Sequence, residues 1–261
     1  MLQSLSTLLL ILLLAVGCVN ENSTTHTWVE ENNLWMEDNV NFVNAVDEDM
    51  FNNIIDIAEE LYEPIATKWD EVLTVTRLYD NPTVNASAWR NGYGDTEVRM
   101  YGGLARREEV IPQGFALVLC HELGHLYGGK PYISTYQKMA AEGQADYYGA
   151  GWCLANIVER LGYEGEIEIT SYIKKACKSK MNSDICTQQL AGGNSLGKLL
   201  SVLKGDKVPN YEKPDKTVVK KTLTSYPKTT QCRLDSYHNG ALSKDRPLCW
   251  FKPEEKEKEK E

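Results

Sequence analysis

The sequence predicts an α+β fold, because strand-like runs in its first half are followed by helical patterns in its second half. Three β-rich runs, at 71–79, 83–90 and 96–101, are separated by turn residues and predict short antiparallel strands. From Pro112 onward the apolar pattern is helical. The chain has 261 residues, 42% of them hydrophobic and 25% charged, so it can bury one sizeable core.

The first residues predict an export signal. Leu8 to Val16 form an apolar run that is too short to span a bilayer but has the length of a signal-peptide core. We expect residues 1–17 to be removed as a signal peptide. The run ends in AVGC, which resembles a bacterial lipobox and implies that Cys18 is lipidated. An ordinary signal peptide with an incidental Cys18 is the alternative, and both predict export.

Composition divides the rest of the chain into three parts. The polar stretch after Cys18 predicts a lipid-anchored tether over 18–40. The folded domain is expected over 41–251, and the charged segment 252–261 is expected to be a disordered tail. We therefore expect an exported protein of the cell envelope, held at the outer membrane or cell surface by its anchor.

Cysteine number and charge narrow the class of protein further. Beyond Cys18 the chain has six cysteines, an even number that predicts disulfides in an oxidising compartment, with 15 possible connectivities. They are Cys120, Cys153, Cys177, Cys186, Cys232 and Cys249. The net charge is −9, and basic residues form no stripe with aromatic ones, which excludes a nucleic-acid surface.

Five helices are predicted along the chain. An apolar stripe over 45–62 indicates an amphipathic helix that ends before Pro64. The segment from Pro112 to Gly129 is apolar on all sides, which is typical of a buried helix. The remaining helices are expected over 136–160, 168–178 and 183–203, and the Lys- and Pro-rich segment 205–226 is expected to wrap the surface.

The motif HELGH lies in the buried helix. His121 and His125 are four residues apart, which places both imidazoles on one helical face at the spacing that chelates one zinc ion. Glu122 lies beside them, where a carboxylate can act on zinc-activated water as a general base. The motif therefore predicts two metal ligands and a catalytic group.

A third ligand is expected from the next helix. Sixteen residues separate His125 from Glu142, enough for a turn and a returning helix that brings Glu142 to the histidines. Asp146 is four residues further on the same face, where it can accept the ring N–H of a ligand histidine. The alternative is that the histidines cap a core helix and that 142–146 is a solvated acidic face.

This constellation resembles the gluzincin metallopeptidases, which carry HExxH on one helix and ExxxD on the next. The resemblance implies a zincin-like fold, with a small antiparallel sheet before the active-site helix pair, and a Zn²⁺ cofactor. A metzincin is excluded because Pro131 stands where its third histidine would be. The chain is also similar to a group of uncharacterised secreted bacterial proteins with CHELGH and EGQADY cores, which implies no substrate.

The resemblance implies hydrolysis of peptide bonds in a peptide or protein substrate. A strand beside the active helix would bind extended substrate, and either 84–89, with its Asn85-Ala86 pair, or 97–101 could be that strand. A non-catalytic zinc-binding envelope lipoprotein is the competing class. Hydrolysis of a non-peptide amide also stays open.

Gluzincins stabilise the oxyanion with a Tyr or His from outside the metal helices. His26 falls in the predicted tether, so His238 and its neighbour Tyr237 are the candidates, held in an ordered loop by a disulfide from Cys232 or Cys249. The alternative is that Tyr237 packs in the core and that His238 lies in a surface turn. Tyr132 and Tyr136 are the remaining candidates.

Overall fold

The structure is a computed structural model that describes residues 25–37, 46–91, 94–163 and 165–254. The predicted signal peptide, the predicted lipidation site at Cys18 and most of the charged tail lie outside the described residues. None of the helices in the described ranges has the length and apolar character that a bilayer crossing requires.

The predicted α+β class is confirmed, with a small sheet and several helices. The strands are β1 (His26–Thr27), β2 (Val72–Leu78), β3 (Ala86–Arg90), β4 (Asp95–Tyr101), β5 (Tyr132–Ser134) and β6 (Met139–Ala140). The helices are α1 (Glu48–Lys68), α2 (Gly102–Ala105), α3 (Pro112–Tyr127), α4 (Glu142–Tyr148), α5 (Leu154–Leu161), α6 (Ser171–Cys177), α7 (Ser183–Lys204) and α8 (Thr230–Ala241), with a π-helical turn over Gly149–Cys153.

The main sheet is mixed, so the prediction of an all-antiparallel sheet is wrong. Its strand order is β1-β3-β4-β2, with β2 and β4 parallel and the other pairs antiparallel. After β2 the chain skips one strand position to form β3. Strand β4 then turns back and pairs between β3 and β2. Neighbours in sequence are therefore not all neighbours in the sheet.

Helix α3 is the centre of the core, as its apolar sequence predicts. All of its residues are buried, and it contacts α1, α4, α7, β3 and β4. Pro112 occupies its first turn, where the missing N–H costs no helical hydrogen bond. The residues that carry the HELGH motif are thus held in a fully packed helix.

Two predicted helix boundaries are wrong. Helix α1 continues past Pro64 to Lys68, because Ala66 extends the buried stripe, which outweighs one missing backbone hydrogen bond. The helix predicted from Tyr136 begins only at Glu142, since β5 and β6 form a hairpin and Lys138 has a φ of 52°. The predicted segment 205–226 contains no helix or strand, in agreement with the expected wrapping coil.

The assignment of 18–40 to a tether is wrong for residues 25–29. His26 and Thr27 pair with Ala88 and Ser87 at the outer edge of β3, and Trp28 is fully buried. The segment HTWV is rich in β-forming residues with a large aromatic side chain, and burying that side chain stabilises its docking. The N-terminal strand is therefore part of the folded domain.

All six cysteines of the folded domain form disulfides, as their even number predicts. The bridges are Cys120–Cys153, Cys177–Cys186 and Cys232–Cys249. The first joins α3, one residue before His121, to the π-helical turn after α4. The third joins Cys232 in α8 to Cys249 in the segment that follows, so the expected bridge from one of these two cysteines to another part of the helical body does not form.

Candidate metal centre

Helices α3 and α4 approach closely because two glycines lie at their contact. A Cβ atom at Gly124 would come within 2.9 Å of the Ala145 carbonyl oxygen. A Cβ at Gly149 would come equally close, 2.9 Å, to the backbone of Cys120 and His121. The absence of both side chains lets the two backbones pack directly, which brings Glu142 to the histidines.

Three ligand atoms converge between the helices. His121 Nε2 and His125 Nε2 lie 3.0 Å apart, and Glu142 Oε2 lies 3.4 Å from the first and 3.5 Å from the second. All three side chains are buried. This group can hold a metal ion, and it consists of the residues that the two motifs predict.

Hydrogen bonds at the other ring nitrogens orient both imidazoles. His121 Nδ1 donates to Asp146 Oδ1 at 2.8 Å, and His125 Nδ1 donates to the Ala140 carbonyl oxygen at 2.8 Å. With the proton on Nδ1, each Nε2 presents a lone pair to the group. Asp146 therefore has the position that its spacing predicts.

The donor set and its spacing fit a small divalent cation. Ligand atoms about 2.0–2.1 Å from a tetrahedrally coordinated ion lie about 3.3 Å from one another, close to the observed separations. Two imidazole lone pairs and a carboxylate repel one another at such distances unless a cation lies between them. Glu142 Oε2 has no hydrogen-bond partner among the described residues, as expected for an atom that binds a metal.

Glu122 is buried beside the ligand group without a partner. It is fully enclosed, and neither carboxylate oxygen finds a hydrogen bond within the described part of the chain. Burial, with the nearby Glu142, raises the pKa of Glu122 to about 8 in spite of the charge on His121. A cation bound by the neighbouring ligand group would stabilise the ionised form of this carboxyl group.

Arg233, a residue that no sequence motif selects, holds Asp146 in place. Its Nε and Nη2 donate to the two carboxylate oxygens of Asp146 at 2.9 and 2.7 Å, and its Nη1 donates to the Trp28 carbonyl oxygen at 2.7 Å. Burial opposes ionisation of Asp146, but Arg233 and His121 outweigh it and lower the pKa. A chain of contacts thus runs from Trp28 through Arg233 and Asp146 to His121.

Tyr237 and His238 lie in α8 rather than in a loop. Tyr237 is fully buried, and its hydroxyl accepts a bond from Trp28 Nε1 at 3.4 Å, so it packs in the core as the alternative predicts. His238 Nε2 accepts from the Tyr172 hydroxyl at 2.8 Å, and its ring stacks near Tyr211. The structure does not bring His238 to the ligand group.

His26 and Tyr226 approach the ligand group instead. The His26 ring stacks on that of His125, with centroids 5.3 Å apart. Burial and the charge of His125 lower the pKa of His26 to about 4, against the influence of Glu142. The Tyr226 hydroxyl donates to the Thr27 carbonyl oxygen. Burial raises the pKa of Tyr226, and the charge of Glu142 adds to that rise. The sequence signal for the docking of His26 is the high content of β-forming residues in the HTWV segment.

The two strands proposed for substrate binding are both engaged within the chain. Strand β4 lies between β3 and β2, so neither of its edges is free, and 97–101 cannot bind substrate in this way. The outer edge of β3 carries β1 over Ala86 to Ala88. The side chain of Asn85 binds both the N–H and the carbonyl oxygen of Val29. The chain's own N-terminal segment therefore occupies the predicted substrate edge.

Comparisons of the chain with family models, with curated proteins and with solved structures gave no match. The geometry of the ligand group is therefore the basis for a proposal about function.

Proposed function

We propose that the protein is an exported zinc metallopeptidase of the gluzincin type. The observation that carries the proposal is the fully buried carboxylate of Glu122, which has no hydrogen-bond partner among the described residues and lies beside three convergent ligand atoms. A site that only stabilises the fold has no use for such a carboxylate, whereas a hydrolase needs a base beside its metal. The convergence of His121, His125 and Glu142 from two helices, with Asp146 hydrogen-bonded to His121, also supports the proposal.

His121, His125 and Glu142 would hold the zinc ion, since two imidazoles and one carboxylate form a known catalytic zinc set with an open coordination position. When bound, zinc supplies Lewis-acid chemistry and lowers the pKa of a water molecule to about 7. Glu122 then accepts a proton from the attacking water and passes it to the leaving amine. A carboxyl group positioned beside that water can perform both transfers.

The disulfides support the proposed location outside the cytoplasm. Three bridges within one domain are typical of proteins that fold in an oxidising compartment. Export by the segment 1–17 and anchoring through a lipid on Cys18 remain part of the proposal. Membrane fractionation of wild-type protein and of Cys18→Ala tests the anchor, and an unchanged detergent-phase fraction in the variant would contradict lipidation.

A structural zinc site in a non-catalytic envelope lipoprotein is the second candidate. The observation in its favour is the enclosure of the group, because the side chains of its ligands expose at most 3% of their surface. Against it, only three described residues offer ligand atoms to the group, whereas structural zinc sites use four.

One experiment separates the two candidates. The purified protein is loaded with zinc and incubated with a peptide library, with and without a chelator, and mass spectrometry reads the products. Chelator-sensitive cleavage that Glu122→Gln abolishes is the expected result, and Glu109→Gln, a carboxylate paired with Arg107, is the matched control. Zinc binding without cleavage would support the structural candidate. Cleavage that persists in Glu122→Gln would contradict the mechanism.

A further inference from the structure

The register of β1 directs His26 toward the ligand group. His26 pairs with Ala88, and paired residues of an antiparallel ladder point to the same face of the sheet. Ala88 is fully buried on the face that packs against α3. The His26 side chain therefore points toward α3, where its ring stacks on His125.

The backbone beside His26 is held by contacts on both sides of the strand. Trp28 N donates to the Ala86 carbonyl oxygen at 3.1 Å, and the fully buried Trp28 ring packs under the Arg233 guanidinium. The Tyr226 hydroxyl donates to the Thr27 carbonyl oxygen at 2.7 Å. These contacts involve β3, α8 and the coil before α8, so they fix the backbone that carries the imidazole.

One polar atom of this ring has no partner. His26 Nε2 is buried and makes no hydrogen bond within the described ranges. The ring lies against the ligand group, since its centroid is 5.3 Å from that of His125. Glu122 and Glu142 of the same site also have buried oxygens without a partner in these ranges. A buried ring nitrogen of this kind is expected to bind a group that enters the site.

We propose that His26 is a functional residue of the metal centre, whose Nε2–H donates a hydrogen bond to the anionic oxygen of a ligand at the open coordination position. The inference rests on the proposed function, because it requires a metal ion at His121, His125 and Glu142. The ligand class is a carboxylate or the oxyanion of a reacting amide. This role replaces the one that the sequence predicts for Tyr237 and His238.

The test measures anion binding rather than turnover. The purified full chain is loaded with Co²⁺, and acetate is titrated while the visible absorption of the metal is recorded. Metal affinity is measured separately by competition with a chromogenic chelator. Wild type is compared with His26→Phe, which keeps an aromatic ring on His125 but has no N–H, and with His26→Gln, which has an N–H but no ring. His238→Ala is the matched control.

We expect His26→Phe to bind acetate about 10- to 100-fold more weakly, because a charge-assisted hydrogen bond is lost. His26→Gln should recover part of the loss, and His238→Ala should bind acetate as wild type does. Metal affinity should be the same in all four proteins. Thermal unfolding curves show whether each variant retains the fold.

Several outcomes would overturn the inference. Unchanged acetate binding in His26→Phe would mean that the ring only stacks, and lower metal affinity would make His26 a ligand rather than a donor. Absence of acetate binding in wild type, a loss in His238→Ala alone, or unfolding of both His26 variants would also contradict it. Failure of the wild type to bind metal is the distinct result that would refute the proposed function itself.

Discussion

His26 and His238 lie in two regions of the molecule that treat an imidazole in opposite ways. His26, in β1, stacks on a ligand histidine and has an unpartnered buried Nε2. His238, in α8, has hydrogen bonds at both ring nitrogens, to Tyr172 and Asn239. The first imidazole can still bind an incoming ligand, whereas the second has no remaining donor or acceptor to offer.

Backbone geometry accounts for this difference. Arg233 and Tyr237 are four residues apart in α8 and share the helical face that contacts Trp28 and Asp146. His238 is one residue further, about 100° around the helix, and so points to Tyr172 and Tyr211 instead. In β1 the register with β3 selects the face toward α3. The helical position of His238 and the strand register of His26 therefore decide which imidazole reaches the ligand group.

The strongest test of the comparison removes the metal centre on which it depends. His125→Ala deletes both a ligand and the ring on which His26 stacks, so the zinc content should fall from about one ion per chain to none. His121→Ala should do the same. Elemental analysis of the purified variants measures this, with His238→Ala as the control that keeps its metal. Wild-type zinc content in either ligand variant would refute the site.

The next effect separates binding of the metal from chemistry. Glu122→Gln removes only the proton acceptor, so activity should fall by about two to four orders of magnitude while zinc content and fold are retained. Peptide cleavage rates and elemental analysis on the same preparation provide the two readouts. An active variant would show that another group is the base.

Arg233, in α8, binds both the Trp28 carbonyl oxygen, just after β1, and Asp146 in α4. Its loss should therefore destabilise the fold. Arg233→Met removes the guanidinium that pairs with the buried Asp146 carboxylate, so the free energy of unfolding should fall by about 3–5 kcal/mol. Chemical denaturation measures the change. Arg246→Met is the control, because Arg246 stacks on Tyr147 and binds an amide rather than a carboxylate. Equal losses in the two variants would contradict the special role of Arg233.

A smaller effect on metal binding is expected from Asp146, which orients His121 and also pairs with Arg233. Asp146→Asn keeps the shape of the side chain but weakens the hydrogen bond to His121, so zinc affinity should fall by roughly 10- to 100-fold. Competition with a chelator measures this. Asp235→Asn, a substitution in α8 whose carboxylate binds Gln231 and the Asp215 N–H, should leave zinc affinity unchanged.

The smallest effect is expected at His238. His238→Ala should leave zinc content and cleavage rate unchanged, and it should cost about 0.5–1.5 kcal/mol through the lost bond to Tyr172. Burial lowers the pKa of His238, so the unfolded state binds more protons and the wild type loses stability as the pH falls below 6.5. The variant should lack this part of the acid destabilisation. A large fall in cleavage rate would instead restore His238 as a catalytic candidate.

The sequence by itself determined the parts of this protein that depend on short-range spacing. The i, i+4 histidines, Glu142 after a turn and Asp146 one helical turn later follow from helical periodicity, and the structure brings them together. The α+β class follows from the order of strand and helix patterns. An even cysteine number predicted disulfides, although the pairing was open.

Only the tertiary structure decided which distant residues complete the site. Arg233 and Asp146 are 87 positions apart, and His26 and His125 are 99 positions apart, so no local period relates them. The parallel pairing of β2 with β4 and the docking of Trp28 are likewise contacts between segments remote in sequence. Such contacts depend on which packing buries the most apolar surface while satisfying most of the buried polar groups, and a linear pattern does not contain that information.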